Sequence, residues 1–355
     1  VHGEQHPAHR LRGVAGDEIY GEATALRVGD FPKGDAIPPN EVLLYSDRQI
    51  QRSLSPEAGP EDDPLSPNLF DPEAEIEWSP VWSLRDGCFR YLPTSILYFH
   101  YRGSTGFMAD SNGCAAGNTR EEAIVQGFFE LVERDSYAIW WYNKIQRPEA
   151  DLDRFEDSYI RDLRNELAEA GKRLWVLDIT TDLGIPSFVA VAHWVEDGKE
   201  YIEFGSGAHF DARIAMLRTL TEVNQFLSIG NIGEGARLQA SLDGETPLRI
   251  SDYPFLLPSG GARTEWGFGA KFGRLEPCEQ VKTCVSLAKE HGHDFLVLDQ
   301  TRPDIEVPVV RVIVPGLRHF YRRFAPGRLY GVPVKMGWLA QPRAEDELNP
   351  IFPHT

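Results

Sequence analysis

Residues 118 to 134, Asn-Thr-Arg-Glu-Glu-Ala-Ile-Val-Gln-Gly-Phe-Phe-Glu-Leu-Val-Glu-Arg, constrain the fold more than any other stretch of the chain. At about 100° per residue, a helix here puts Asn118, Glu122, Gln126, Glu130 and Glu133 within about 120° of one another. The remaining circumference is largely apolar, with Ala123, Ile124, Val125, Phe128, Phe129, Leu131 and Val132, and Gly127 permits a close neighbour. Such a helix is built for burial. Thr119, with Glu122 three residues on, supplies a capping box at its start, and the pattern runs to about Trp141. Like carboxylates at helical spacing repel, and burying them uncompensated costs several kcal/mol each, so a cation belongs against the stripe. Hard oxygen ligands without nearby Cys or His favour Mg2+, with phosphate oxygens completing its shell. The competing reading is a surface helix with its Glu residues in water, but a solvated face normally mixes Lys and Arg among its acids.

A second helical segment, roughly Ala212 to Ser228, adds Arg218, Glu222 and Gln225 within about 60° of one another by the same arithmetic. An Arg, a carboxylate and an amide on one face suit phosphate, metal and a ribose or base. Taken alone, the Arg218 and Glu222 spacing equally suits a surface salt bridge.

Around these helices the texture is mixed. Ser55 to Glu77 carries five prolines and many acids with few apolar anchors, and reads as a loop or linker. Strand material follows at residues 89–93 and 95–99. A polar helix over Phe155 to Ala170 ends at Gly171 and leads into strands at Arg173–Thr180, Pro186–Trp194 and Tyr201–Gly205. A helix from about Glu279 to His291 and strands at Phe295–Asp299 and Val309–Val314 complete an α+β pattern. The expected organisation is residues 1–77 as an incomplete N-terminal part plus the acidic linker, and 78–355 as the main domain with a C-terminal tail.

The charge balance excludes some partners. With 36 Lys and Arg against 54 Asp and Glu, the net charge is −18, which argues against nucleic acid or an acidic membrane surface. No apolar run reaches the length of a membrane span. Cys88, Cys114, Cys278 and Cys284 form no CxxC pair, so neither a zinc knuckle nor a disulfide scaffold is indicated, and a reducing cytoplasm fits. The first residues lack an initiator Met, a basic segment and an apolar core, and read as an internal start. His2, His6 and His9 there read as a solvated terminus.

The segments Ser111-Asn-Gly-Cys-Ala-Ala-Gly-Asn118, EEAIVQGFFELVERD, LRTLTEVNQ, Leu298-Asp-Gln-Thr-Arg302 and Val310-Arg-Val-Ile-Val-Pro-Gly316 together resemble the YcaO family. Within it they are similar to the ATP-dependent cyclodehydratase subunits that make azoline rings in ribosomal peptides. The resemblance runs from about Trp78 to the end. It implies one YcaO-type α+β domain in which acidic helices line a nucleotide cavity holding ATP and Mg2+. Carried over by motif, Asn118, Glu122, Glu130, Glu133 and Arg134 belong to the nucleotide and metal site, with Glu133 and Arg134 in catalytic roles. Gln126, Arg218, Glu222 and Gln225 become lining residues, and Ser111 and Asn112 a turn that either receives phosphate or is merely structural. The implied reaction joins a Cys, Ser or Thr side chain to the preceding amide carbonyl, ATP phosphorylating the amide oxygen so that it leaves. Implied partners are a precursor peptide and a leader-binding, E1-like protein, with a homodimer allowed. Thioamide formation by the same activation, or a nucleotide-binding scaffold that has lost catalysis, are the alternatives.

Two departures from the family pattern stand out. Many relatives carry an early helix with a Glu followed by a Glu-Arg pair; Glu22 begins that pattern as a metal ligand, but Ala25 and Leu26 occupy the later places. Residues 349–355 only partly match a Pro-x-Pro-x-Pro tail. Other motifs read blandly: Gly267-Phe-Gly269 as a loop without a Walker ending, His291-Gly-His293 as a helix cap, and Trp140-Trp141-Tyr142 as core.

Overall fold

The computed structural model describes residues 24–53, 70–99, 101, 107–232, 249–261, 265–266 and 270–353. In chain order the first part contains β1 (Thr24–Leu26), α1 (Asn40–Leu43), α2 (Asp47–Ser53), β2 (Ile76–Ser83), β3 (Cys88–Pro93), α3 (Thr94–Leu97), β4 (Cys114–Ala116) and α4 (Arg120–Tyr142). The middle holds α5 (Ser158–Glu169), β5 (Arg173–Asp178), β6 (Ser187–Glu196), β7 (Lys199–Ala208) and α6 (Ala212–Ile232). α7 (Ala270–Gly273), α8 (Pro277–Glu290), β8 (Leu296–Asp299), β9 (Val309–Ile313) and α9 (Arg328–Lys335) follow. This is the α+β class expected, with antiparallel pairing in both sheets.

The chain falls into two compact units, residues 1–131 with 276–327, and residues 132–275 with 328–355. In unit 1 the sheet runs β1-β2-β8-β9-β4, with β3 on the other edge of β2. Its core gathers Val81, Leu92, Ile96, Leu97, Leu296, Leu298 and Ile313. β2 crosses residue 77, where the composition changes, and β1 pairs with it through Thr24 and Trp78. Ala25 and Leu26 are therefore strand residues rather than part of an early metal-binding helix. The Trp78 indole fixes this start by donating to the Leu26 carbonyl at 2.9 Å. Residues 95–99 also differ from the strand expected: Pro93 ends β3, and Thr94–Leu97 form one helical turn buried on every side.

Unit 2 holds the sheet β5-β6-β7, with α6 against it and Val176, Phe188, Ala190, Met216, Leu220 and Val223 in its core. The β6 to β7 hairpin turns on Asp197-Gly198, both at positive φ (52° and 74°), the geometry of a type I′ turn. Trp140, Trp141 and Tyr142 are buried core, as the sequence indicates. Asn349 donates its backbone N–H to Tyr142 O at 2.8 Å, and Trp141 Nε1 donates to Ile351 O at 2.8 Å, so the C-terminal segment is tied to the end of α4. Among the described residues no helix is long and apolar enough to cross a membrane.

Candidate functional site

The start of α4 is set by its cap. Glu122 N donates to Thr119 Oγ1 at 3.2 Å, but the Glu122 carboxylate does not complete the capping box. It turns to Asn118, accepting from both the backbone N–H and the side-chain amide at 2.9 Å. One turn further, Gly127 lies so close to Gly113 that a Cβ would stand 2.6 Å from the Gly113 carbonyl. Gly113 takes a positive φ of 78°, gives its N–H to Glu130 at 3.1 Å and receives Val312 N–H at 2.8 Å. In unit 1 the stripe thus holds Asn118, Glu122 and Glu130, the last two half-buried, which the surface-helix reading does not accommodate. Gln126 is also half-buried; Ser111 is exposed and Asn112 half-buried, in a turn closed by Cys114 N–H on Ser111 O at 2.9 Å.

In unit 2 the chemistry concentrates on Glu133 and Glu222. The Ser206 hydroxyl lies 2.7 Å from Glu133 Oε1 and 3.2 Å from Glu222 Oε2, and the Ser206 N–H donates to Glu222 as well. One hydroxyl proton serves two carboxylates. Burial, then the neighbouring charge of Glu133, pushes the Glu222 carboxyl up to about 6, while Ser206 and Arg134 pull it the other way. Arg218 is brought down by burial and held up in part by Glu133. Beside it His209 is pushed down to about 4, first by burial and then by Arg218, and its Nδ1 accepts the Asp211 N–H at 2.9 Å. Gln225, by contrast, is exposed.

Sequence reasoning missed Ser206, although a signal was present. It stands between Gly205 and Gly207, at which a Cβ would come within 2.3 Å of Val223 N and 2.7 Å of Ala215 O. Two glycines let α6 lie on β7, and that approach brings Glu222 to the Ser206 backbone. A second missed feature steadies α4 next to Arg134. Arg328 bonds Asp135 with Nε at 2.9 Å and Nη2 at 2.7 Å and reaches Asp182 at 2.8 Å, while Lys335 also binds Asp182 at 2.9 Å. Burial opposes the Arg328 charge, but the two aspartates outweigh it and raise its pKa.

Two oxygen ligands beside arginines fit Mg2+ better than a softer metal, because Mg2+ is held by one or two carboxylates plus waters and phosphate oxygens. Among the described residues no group of three or more His, Cys, Asp or Glu is assembled for a metal. Burial and Glu133 raise the Glu222 carboxyl against the pull of Arg134, and a cation bound at the pair would favour its ionised form. Glu22, the His2, His6 and His9 group and the Gly267 to Gly269 loop lie outside the described residues. His291 and His293 close the helix as the cap expected, His291 Nδ1 meeting Leu287 O at 2.9 Å and the His293 N–H donating to Ala288 O at 2.9 Å, while the His293 ring turns to Pro315 O at 2.8 Å. All four cysteines are free.

The carboxylates of α4 and α6, with Arg134 and Arg218 within charge range, make a donor set that suits a magnesium nucleotide. Residues 13–318 match the family described as YcaO cyclodehydratase, ATP- and Mg2+-binding, and the chain belongs to the YcaO family. It superimposes with a TM-score of 0.84 and 41% identity on a heterocyclase solved in complex with substrate and cofactor, over 93% of this chain and 45% of that one. The heterocyclase TruD gives 0.80 and 41%, over 96% of this chain and 48% of that one. An uncharacterized protein of Methanothermobacter thermautotrophicus is 30% identical over 290 residues, 74% of this chain and 73% of that protein. The chain therefore spans about half the length of the two heterocyclases.

Proposed function

We propose that this chain is the ATP- and Mg2+-dependent part of a peptide heterocyclase, converting Cys, Ser or Thr of a ribosomal precursor peptide to thiazoline or oxazoline. The observation that carries the reading is the pair Glu133 and Glu222 sharing the Ser206 hydroxyl at 2.7 and 3.2 Å, with Arg134 and Arg218 within charge range. The likeness to a heterocyclase over 93% of the chain supports it.

In this reading the substrate side chain attacks the preceding amide carbonyl, and the amide oxygen then departs as phosphate. Bound Mg-ATP supplies the phosphoryl group that makes that oxygen a leaving group. Glu133 and Glu222 hold the cation, Ser206 spaces them, and Arg134 and Arg218 neutralise charge on the phosphates. Asn118, Glu122, Gln126 and Glu130 are proposed as further nucleotide or metal ligands, with Glu22 a candidate from the preceding segment. Exposed Ser111 and Gln225 and the half-buried Asn112 are the weaker members of the set. The precursor peptide arrives on a leader-binding, E1-like protein or module.

Calorimetry with Mg-ATP on wild type and Glu133→Ala tests the binding half, with affinity expected to be lost in the variant; equal affinity removes the claim. Incubation with partner, precursor and Mg-ATP tests the chemistry. Each ring should release phosphate and lower the peptide mass by about 18 Da, whereas a gain of about 16 Da would assign thioamide formation instead. Nucleotide binding with neither phosphate release nor mass change would leave a scaffold.

A further inference from the structure

Tyr137 is 1% exposed, and its hydroxyl has no hydrogen-bond partner among the described residues. Its ring is clamped. Trp141 stacks on it at 6.1 Å and 29°, and Trp140 meets it edge-on at 5.2 Å and 90°, so the hydroxyl cannot swing out to water. It stands four residues after Glu133 on α4, hence on the same face. After burial, the charges acting on the phenol are those of Glu222, one member of the carboxylate pair, and Arg134.

A buried hydroxyl left unpaired costs about 1–3 kcal/mol, and folded proteins seldom leave one so. Phenylalanine would keep both tryptophan contacts without that penalty. The hydroxyl has use only if something arrives to accept its proton. A carboxylate already holding a cation is a poor recipient, whereas a phosphate oxygen or a cation-bound water beside Glu133 is a strong one.

We propose that the Tyr137 hydroxyl is a ligand-binding donor, giving a hydrogen bond to an oxygen of the magnesium nucleotide held at Glu133 and Glu222. The assignment rests on the reading of that pair given under Proposed function. It carries an unusual signature, because the same atom weakens the empty protein and strengthens the loaded one.

Tyr137→Phe is compared with wild type by thermal melting in nucleotide-free buffer and by calorimetry with Mg2+ and a non-hydrolysable ATP analogue. Tyr159→Phe, at an exposed tyrosine of α5, is the control. The expected result is an unchanged or higher melting temperature for Tyr137→Phe together with a Kd raised roughly tenfold or more, the control moving neither. Unchanged affinity in Tyr137→Phe, with wild type binding normally, overturns the donor role and leaves the carboxylate reading intact. A lower melting temperature without nucleotide means that the hydroxyl already has a structural partner and also overturns it. Failure of wild type to bind the analogue is a separate result, one that removes the carboxylate reading on which the assignment rests.

Discussion

Glu222→Gln preserves the size of the side chain and its ability to accept the Ser206 N–H, and removes only the charge. The Glu222 carboxyl is pushed from an ordinary 4.5 up to about 6 by burial and by Glu133. That difference of about 1.5 units corresponds to about 2 kcal/mol by which the ionised form is disfavoured in the folded chain. Below pH 4.5 the carboxyl is protonated in folded and unfolded chain alike, and the substitution costs nothing. Between about 4.5 and 6 the unfolded chain releases the proton first, so the wild type loses stability as pH rises, and above 6 the whole penalty stands. Glu222→Gln should therefore be more stable than wild type at pH 7.5 in metal-free buffer by about 2 kcal/mol. At about 2.1 cal/mol/K per residue over the chain this is a rise in Tm of roughly 2–3 °C. At pH 4 the two proteins should melt together. Added Mg-ATP should reverse the order, because wild type gains binding energy and the amide does not. Paired melts at pH 4 and 7.5, with and without Mg-ATP, check all four values. A variant less stable at pH 7.5, or equally stabilised at both pH values, would show that the carboxylate pair is not under charge strain and would undo the argument for a cation there.

Two further outcomes follow from the same description. Gly127→Ala should lose about 1–3 kcal/mol in denaturant unfolding, because the new methyl would meet the Gly113 carbonyl at 2.6 Å; a variant as stable as wild type would show that α4 has room to move. His209, pushed down to about 4, should stay neutral well below its usual 6.5, so its contribution to stability is complete above 6.5 and is lost as pH falls toward 4; proton NMR of its ring would show this, and titration near 6.5 would contradict it.

The parts legible from sequence were those whose signal is local. The 3.6-residue period of α4 identified a buried helix with its carboxylates on one face, since periodicity reports the environment directly. The Arg218 and Glu222 face of α6 was visible for the same reason, whereas Gln225 shares the arc but projects to solvent. What could not be read was which carboxylate meets which. Ser206 joins Glu133 to Glu222 only because β7 passes under α6, and the hydroxyl itself has no periodicity to announce it. Glu122 satisfied the spacing of a capping box yet chose Asn118, a choice between two donors four and three residues away that spacing alone does not resolve. Thr94–Leu97 failed as a strand because a short apolar run buried on every side has no period to distinguish.

The interrupted order of strands in unit 1 sets a timetable for synthesis. β8 and β9 lie between β2 and β4, although β4 ends at Ala116 and β9 begins only at Val309. At about 5–20 residues per second, the ribosome needs roughly 10–40 s to travel between them. Throughout that interval the nascent chain holds β2 and β4 with their inner edges unpaired, the condition in which strands recruit wrong partners. The short hairpin β5-β6-β7 emerges complete in the meantime, but Asp135 waits for Arg328, fifteen residues after Ile313. Unit 2 thus gains Arg328 only a few seconds after unit 1 gains β9. A stall or frameshift just before β9 would release a polypeptide in which neither unit is finished.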